Sequence, residues 1–249
     1  KLTQFPEDEI GMLSRTFNQM TVDLKDSLEL LAKKERQEQQ IRFSLLISQI
    51  DPHFIYNTIN SINYLARRGR CNDVIKVNSA LISILQDRLR VNDIQVTDTI
   101  ANERKVVEQY LVIERYMYDG DLEVAWKIEN ELMTEQIPKN MIQPLVENAL
   151  FHGLIDEESG ELNGKIEIEI QRDEKDLILR VSDNGIGMSE DRLKAVREEI
   201  YQPEERGKKI GLSNIGRRLY YLYGSSDGIR IESGENEGTR ITLKFKGEY

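Results

Sequence analysis

From Ile10 to Leu45 apolar residues recur at alternating spacings of three and four: Ile10, Leu13, Phe17, Met20, Leu24, Leu31, then Ile41 and Leu45. This is a heptad stripe, and a helix cannot bury such a stripe alone, so the spacing predicts a coiled coil with a partner helix. The register weakens in its middle, where Ser27, Lys34 and Glu38 take seam positions. An amphipathic helix docked on its own domain is the alternative; length and register favour the dimer. The helix is predicted to continue through Asp51-Pro52-His53-Phe54 to about residue 68 and to stop at Gly69. Pro52 removes a backbone donor and clashes with the preceding turn, which predicts a kink. A second amphipathic segment, residues 73–90, carries Val74, Val77, Leu81, Ile84 and Leu85. The short connection predicts an antiparallel helix pair, and two such pairs from two chains make a four-helix bundle. A third helix, about residues 99–118, leads to the turn Asp119-Gly120-Asp121, read as a domain boundary.

Beyond that turn the pattern changes. Residues 122–128, 165–170 and 177–181 alternate as strands, residues 140–153 read as a helix and 213–223 as a short helix. Residues 230–231 and 239–245 read as closing strands joined by the turn Gly234-Glu235-Asn236-Glu237-Gly238. Helices beside a mixed sheet predict a two-layer α/β domain, so the fold class is α+β and multidomain: a coiled coil and dimeric four-helix bundle, then an α/β sandwich.

Composition narrows the function. With 249 residues the chain exceeds one usual domain, and 31% charged against 39% hydrophobic residues fits a globular protein with long solvated helices. The net charge of −10 argues against a general grip on nucleic acid. The single cysteine, Cys71, cannot close an intrachain disulfide and suits a reducing compartment. No apolar run is long enough to cross a bilayer. The chain opens at Lys1 inside a helical pattern and reads as a fragment of something longer.

The chain has two histidines. His53 sits beside the heptad seam, where its imidazole can face solvent, and near neutral pH one ring nitrogen keeps a free lone pair. A surface histidine without a role is the plain alternative; the surrounding string decides against it. Residues Ser48-Gln49-Ile50-Asp51-Pro52-His53-Phe54-Ile55-Tyr56-Asn57-Thr58-Ile59-Asn60-Ser61 resemble the phosphoacceptor helix of sensor histidine kinases of the LytS and YesM type. That resemblance implies that His53 is the phosphorylated residue. Asn57, one helical turn on, is close enough to touch the imidazole, and in related kinases a polar residue at this spacing supports phosphatase activity. A helix-surface amide is the equal alternative. Asp51 points about 200° away around the helix and is a poor base, while Phe54 stands where other kinase families place an acid. The group that takes or orients the imidazole proton is left open.

The second histidine, His152, stands near the end of the string Gln143-Pro144-Leu145-Val146-Glu147-Asn148-Ala149-Leu150-Phe151-His152-Gly153. An Asn148 amide oxygen suits magnesium bridged to phosphates, and Glu147 suits a magnesium-bound water or a base. Asp183-Asn184-Gly185-Ile186-Gly187-Met188 follows a strand, as a turn or as an adenine pocket in which Asp183 accepts the exocyclic amine. Gly207-Lys208-Lys209-Ile210-Gly211-Leu212 precedes a helix whose backbone donors can receive phosphate. Gly238-Thr239-Arg240 opens the last strand beside them.

Taken in order, these four strings resemble the nucleotide-binding boxes of the ATPase fold shared by histidine kinases, gyrase, Hsp90 and MutL, the Bergerat type. The resemblance implies ATP with Mg2+, Asn148 and Glu147 at the metal, and nucleotide contacts from Asn148, His152, Asp183, Gly185, Gly187, Lys208, Lys209, Gly211, Leu212, Gly238 and Thr239. It also implies a mobile lid from about residue 189 to 211. Lys209 departs from the family pattern by replacing the middle glycine, and either stiffens the lid or adds a phosphate contact. Lys208 and Arg217 have solvated charges as their plainer reading. Phe5-Pro6-Glu7-Asp8-Glu9-Ile10-Gly11-Met12-Leu13 with Phe17-Asn18-Gln19-Met20 resembles the second helix of a HAMP linker. The expected organisation is HAMP remnant 1–25, coiled-coil signalling helix 26–45, dimerisation and histidine phosphotransfer domain 46–120, and catalytic ATP-binding domain 121–249. The resemblance implies a homodimer, a cognate response regulator, catalysis by His53 with Asn57 and Glu147, and the cytoplasmic part of a bacterial membrane protein joined to upstream transmembrane helices. Two rivals are an ATP-driven conformational machine of the Hsp90 or MutL class and a degenerate kinase serving as scaffold or phosphatase.

Overall fold

The computed structural model describes residues 12–13, 16–27, 34, 52–88, 97–156, 158–201, 212, 215–216, 219 and 228–245. They fall into two compact units, Lys1–Pro52 and His53–Tyr249. In the first, residues 12–13, 16–27 and 34 are helical, and Leu13, Phe17, Met20 and Leu24 stand exposed. The rest of the heptad segment and the backbone before Pro52, where the kink is expected, lie outside the described residues.

The second unit opens with α1 (Pro52–Arg67) and α2 (Cys71–Arg88). Gly69 ends α1 where expected: its amide donates to the Ala66 carbonyl at 3.0 Å and that of Arg70 to the Leu65 carbonyl at 3.0 Å, closing the last turn. The closest helix pairing, however, is α2 with α3 (Ile100–Met117), which corrects the expected α1–α2 pair. The reason lies in the faces. Val77, Ala80, Leu81 and Ile84 of α2 are buried along one stripe, as are Val107, Tyr110 and Leu111 of α3, whereas α1 buries only Thr58 and Leu65. Tyr56, Ile59 and Tyr64 of α1 and Ile75 and Ile82 of α2 are left exposed. Phe54 does pack inward, its ring 5.5 Å from that of Tyr110.

The sheet has five strands: β2 (Leu122–Ile128), β4 (Gly164–Asp173), β5 (Asp176–Asp183), β7 (Gly238–Phe245) and β6 (Ile229–Gly234), in that spatial order. β2 runs parallel to β4 and the other pairs are antiparallel. Alternation assigns the faces. Ile166, Ile168 and Ile170 of β4, Leu179 and Val181 of β5, and Ile241 and Leu243 of β7 are buried. On the other face Lys127 pairs with Glu167 at 2.8 Å and Arg180 pairs with Glu169. α4 (Ile142–Ala149) and α5 (Glu190–Tyr201) cover the buried face, giving the expected two layers.

Three elements escaped the sequence reading. A two-stranded sheet pairs β1 (Thr97–Thr99) with β3 (Gln136–Pro138), and a 3-10 turn spans Asn130–Thr134. The third is α5. It occupies the first part of the segment expected as a lid, with Leu193 and Ile200 buried and the Arg197 guanidinium donating to the Ile231 carbonyl at 2.6 Å. Residues 202–211, with Gly207, Lys208, Lys209 and Gly211 among them, lie outside the described residues. Of the expected helix at residues 213–223, residues 215–216 and 219 are helical.

Candidate active site

The wall of the site is α4, and its start is held from a distance. Met141 precedes the helix and has no side chain able to cap it, so Glu103 of α3 performs that task. Its carboxylate accepts from the amides of Asn140 (2.6 Å), Met141 (3.0 Å) and Ile142 (3.3 Å), satisfying donors that a helix start leaves open. Burial raises the pKa of Glu103 while these three amides oppose the rise. Past Ala149 the helix widens into a π turn, Leu150–Leu154, of the kind that often marks functional segments.

This geometry turns Leu145, Asn148, Ala149, Phe151 and His152 toward a cavity of about 530 Å³. Val181, Asp183, Ile186, Gly187, Met188, Leu212, Thr239 and Ile241 also line it. Apolar walls with a few convergent polar groups are the usual make-up of a small-molecule site. Asp183 ends β5, and its Oδ1 accepts from the amides of Gly185 (2.9 Å) and Thr239 (3.2 Å). Burial pushes its pKa up, against those two hydrogen bonds. The carboxylate is thereby oriented both by its own loop and by Thr239, 56 residues further along the chain.

Glycine is required by contact here. A Cβ on Gly185 would stand 2.1 Å from the Gly153 carbonyl oxygen, and one on Gly187, at φ +64°, would stand 1.9 Å from that of Gly234. The backbone of Gly238 abuts the Asp183 carbonyl in the same way. The amide of Ile186 donates to the Gly153 carbonyl at 3.1 Å and that of Asn236 to the Ile186 carbonyl at 2.7 Å, so the loop after β5 is clamped between the π turn and the β6–β7 turn.

Asn148, His152, Asp183, Gly187, Leu212 and Thr239 thus meet at one cavity, with Gly185 and Gly238 packed behind it. Glu147 is not among the lining residues; its Oε1 accepts from Gln143 Nε2 at 2.7 Å. Sequence reasoning passed over Gly153 and the apolar walls Val181, Met188 and Ile241. Gly153 had a signal, a glycine at a helix end, whereas the walls look like any core residues.

His53 does not line the cavity. It is exposed on α1, with Asn57 Nδ2 3.2 Å from its Nδ1 and 3.5 Å from its Nε2. Rotating the amide by half a turn exchanges donor for acceptor at that contact and selects which ring nitrogen keeps its lone pair. Among the described residues no three His, Cys, Asp or Glu side chains gather where they could hold a metal ion, and no helix is long and apolar enough to cross a membrane.

A family described as histidine kinase-, DNA gyrase B- and HSP90-like ATPase matches residues 134–248, and one described as histidine kinase matches residues 41–122. The chain is 31% identical over 242 residues to the sensor histidine kinase YesM of Bacillus subtilis, covering 97% of this chain and 40% of that one. It is 29% identical over 253 residues to the sensor histidine kinase BtsS of Escherichia coli, covering 98% and 41%. Identity to the sensor protein kinase HptS of Staphylococcus aureus is 32% over 232 residues, covering 92% and 43%. The chain therefore spans less than half the length of these relatives.

Proposed function

Because the chain belongs to the histidine kinase family and carries its ATP-binding domain, we propose that it transfers the γ-phosphoryl group of ATP to its own His53. The observation that carries this reading is the convergence of residues from four separate strings on one cavity, with Asp183 oriented by the amides of Gly185 and Thr239. A carboxylate held through Oδ1 can accept the exocyclic amine of adenine, between the apolar walls of Val181, Met188 and Ile241. Asn148 faces the same cavity, and its amide oxygen suits Mg2+, which needs few protein ligands when phosphates supply the rest. When bound, Mg2+ offsets phosphate charge; Asn148 is the residue that would hold it.

In the transfer a ring nitrogen of His53 forms the bond to phosphorus while the γ-phosphorus bond to the bridging oxygen breaks and ADP departs. Exposure makes the imidazole reachable, and the Asn57 amide beside the ring can bias its tautomer. The phosphoryl group then passes to a response-regulator aspartate. The exposed apolar residues of α1 and α2 fit a second copy of this chain, and the unpartnered stripe Leu13, Phe17, Met20 and Leu24 fits a coiled coil leading from a membrane-bound sensor. In this reading residues 46–120 form the dimerisation and phosphotransfer region and 121–249 the ATP-binding domain, α3 packing against both.

The test incubates the chain with Mg2+ and γ-labelled ATP and follows acid-labile, base-stable label. Wild type is expected to label and His53→Gln to lose at least nine tenths of it, about a tenfold drop or more in rate. Equal labelling of both overturns the site. Phosphate release without any label would favour an ATP-driven conformational machine.

A further inference from the structure

Gln143 is 4% exposed, and both halves of its amide are engaged. Its Oε1 accepts from Arg88 Nη2 at 2.9 Å, and its Nε2 donates to Glu147 Oε1 at 2.7 Å. Arg88 is the last residue of α2, and Glu147 directly precedes Asn148, which lines the cavity. One buried side chain therefore joins the end of α2 to the wall of the nucleotide site.

The chemistry calls for glutamine. One end must accept from a guanidinium and the other must donate to a carboxylate, which a primary amide does and neither a carboxylate nor a thioether can. Glutamate would set two carboxylates against each other, and methionine would remove both bonds at a buried position. Hydrogen bonds to charged partners are the stronger kind, so the bridge is stiff as well as specific. On the α3 side, the negative charge of Glu147 also reaches Tyr110 and Glu114, and Tyr110 packs on Phe54, the neighbour of His53. Glu147 thus stands between the nucleotide wall and α3, whose Tyr110 packs on the neighbour of His53.

We propose that Gln143 is a positioning residue that couples docking of the α2 end to nucleotide binding. With Arg88 in place, Gln143 holds Glu147 and with it the rotation of α4 that turns Asn148 to the cavity. Linkage makes the effect reciprocal: docking tightens nucleotide binding, and nucleotide favours the docked α2 end. Rearrangement of α2 then changes nucleotide affinity without touching the nucleotide. This inference rests on the reading of the cavity as an ATP site and adds an input to it.

The experiment uses the whole chain as wild type, Gln143→Met, Arg88→Met and the double variant. It measures affinity for a fluorescent ATP analogue with Mg2+ and amide exchange at residues 84–88 with and without that analogue. Each single substitution is expected to weaken binding about 3- to 30-fold, and the double no further than the weaker-binding single, because both cut one relay. The analogue slows exchange at residues 84–88 in wild type and does so no longer in either single variant. Losses that multiply in the double variant, or unchanged nucleotide-dependent protection in Gln143→Met, overturn the coupling. Should Gln143→Met fail to fold, Arg88→Met decides alone: normal affinity with normal protection overturns the proposal, and loss of both supports it. A wild-type chain that binds no analogue overturns the ATP reading and the coupling with it, an outcome distinct from binding without coupling.

Discussion

Glu114 shows what a single residue can impose. It is 1% exposed, and among the described residues neither carboxylate oxygen is satisfied by a well-formed hydrogen bond. Burial pushes its pKa from an ordinary 4.5 up to about 7, the nearby Tyr110 hydroxyl opposing and the Glu147 charge adding. The folded chain therefore holds this proton more tightly than the unfolded one. Its contribution is complete below about pH 4.5 and is lost as pH rises through about 7. The loss amounts to about 3 kcal/mol. Glu114→Gln is expected to remove that slope, gaining on wild type between pH 5 and pH 8; urea unfolding across this range checks it, and parallel pH profiles would count against it. His53 presents the opposite case. Its exposure and the Asn57 spacing were legible from helical periodicity, since an i, i+4 contact depends on nothing beyond the helix itself.

Among the elements, the strands were read closely because alternation is local. The expected 122–128 is β2 without change, and β5 needed only its ends extended. The start of α4 was misread by two residues, because its cap comes from Glu103, 37 to 39 residues earlier. No pattern within residues 138–145 encodes that. Glu103→Ala leaves three amides without their acceptor, and the expected loss is about 2–4 kcal/mol in denaturant unfolding. Glu103→Gln, which keeps one oxygen, is expected to lose less. Equal, small losses from both would show that the amides find other partners. The helix α5 was hidden by its charge: Leu193, Val196 and Ile200 form a thin apolar stripe in a polar segment, and only the exposed edge of the core near β6 shows why it suffices.

For the molecule as a unit, the decisive feature is the apolar surface left uncovered. Tyr56 is 65% and Ile75 63% exposed, and Ile59, Tyr64 and Ile82 of α1 and α2 are exposed as well. Burying such side chains against a second copy gives roughly 1.5–3 kcal/mol each when complete. On the proposed dimer and kinase reading, Ile75→Glu with Ile82→Glu is expected to shift the chain to monomer in sedimentation equilibrium and to lower autophosphorylation. A variant that sediments as wild type does would remove this face from the interface. Strand alternation and the heptad stripe were set by residue order alone, because periodicity acts over a few residues, and the site strings were legible through their resemblance to the family. Pairing of α2 with α3 rather than α1, the remote cap from Glu103, and the Arg88–Gln143–Glu147 bridge had to await the packed chain. Each joins residues distant along the chain, and which buried polar groups find one another depends on how the layers pack.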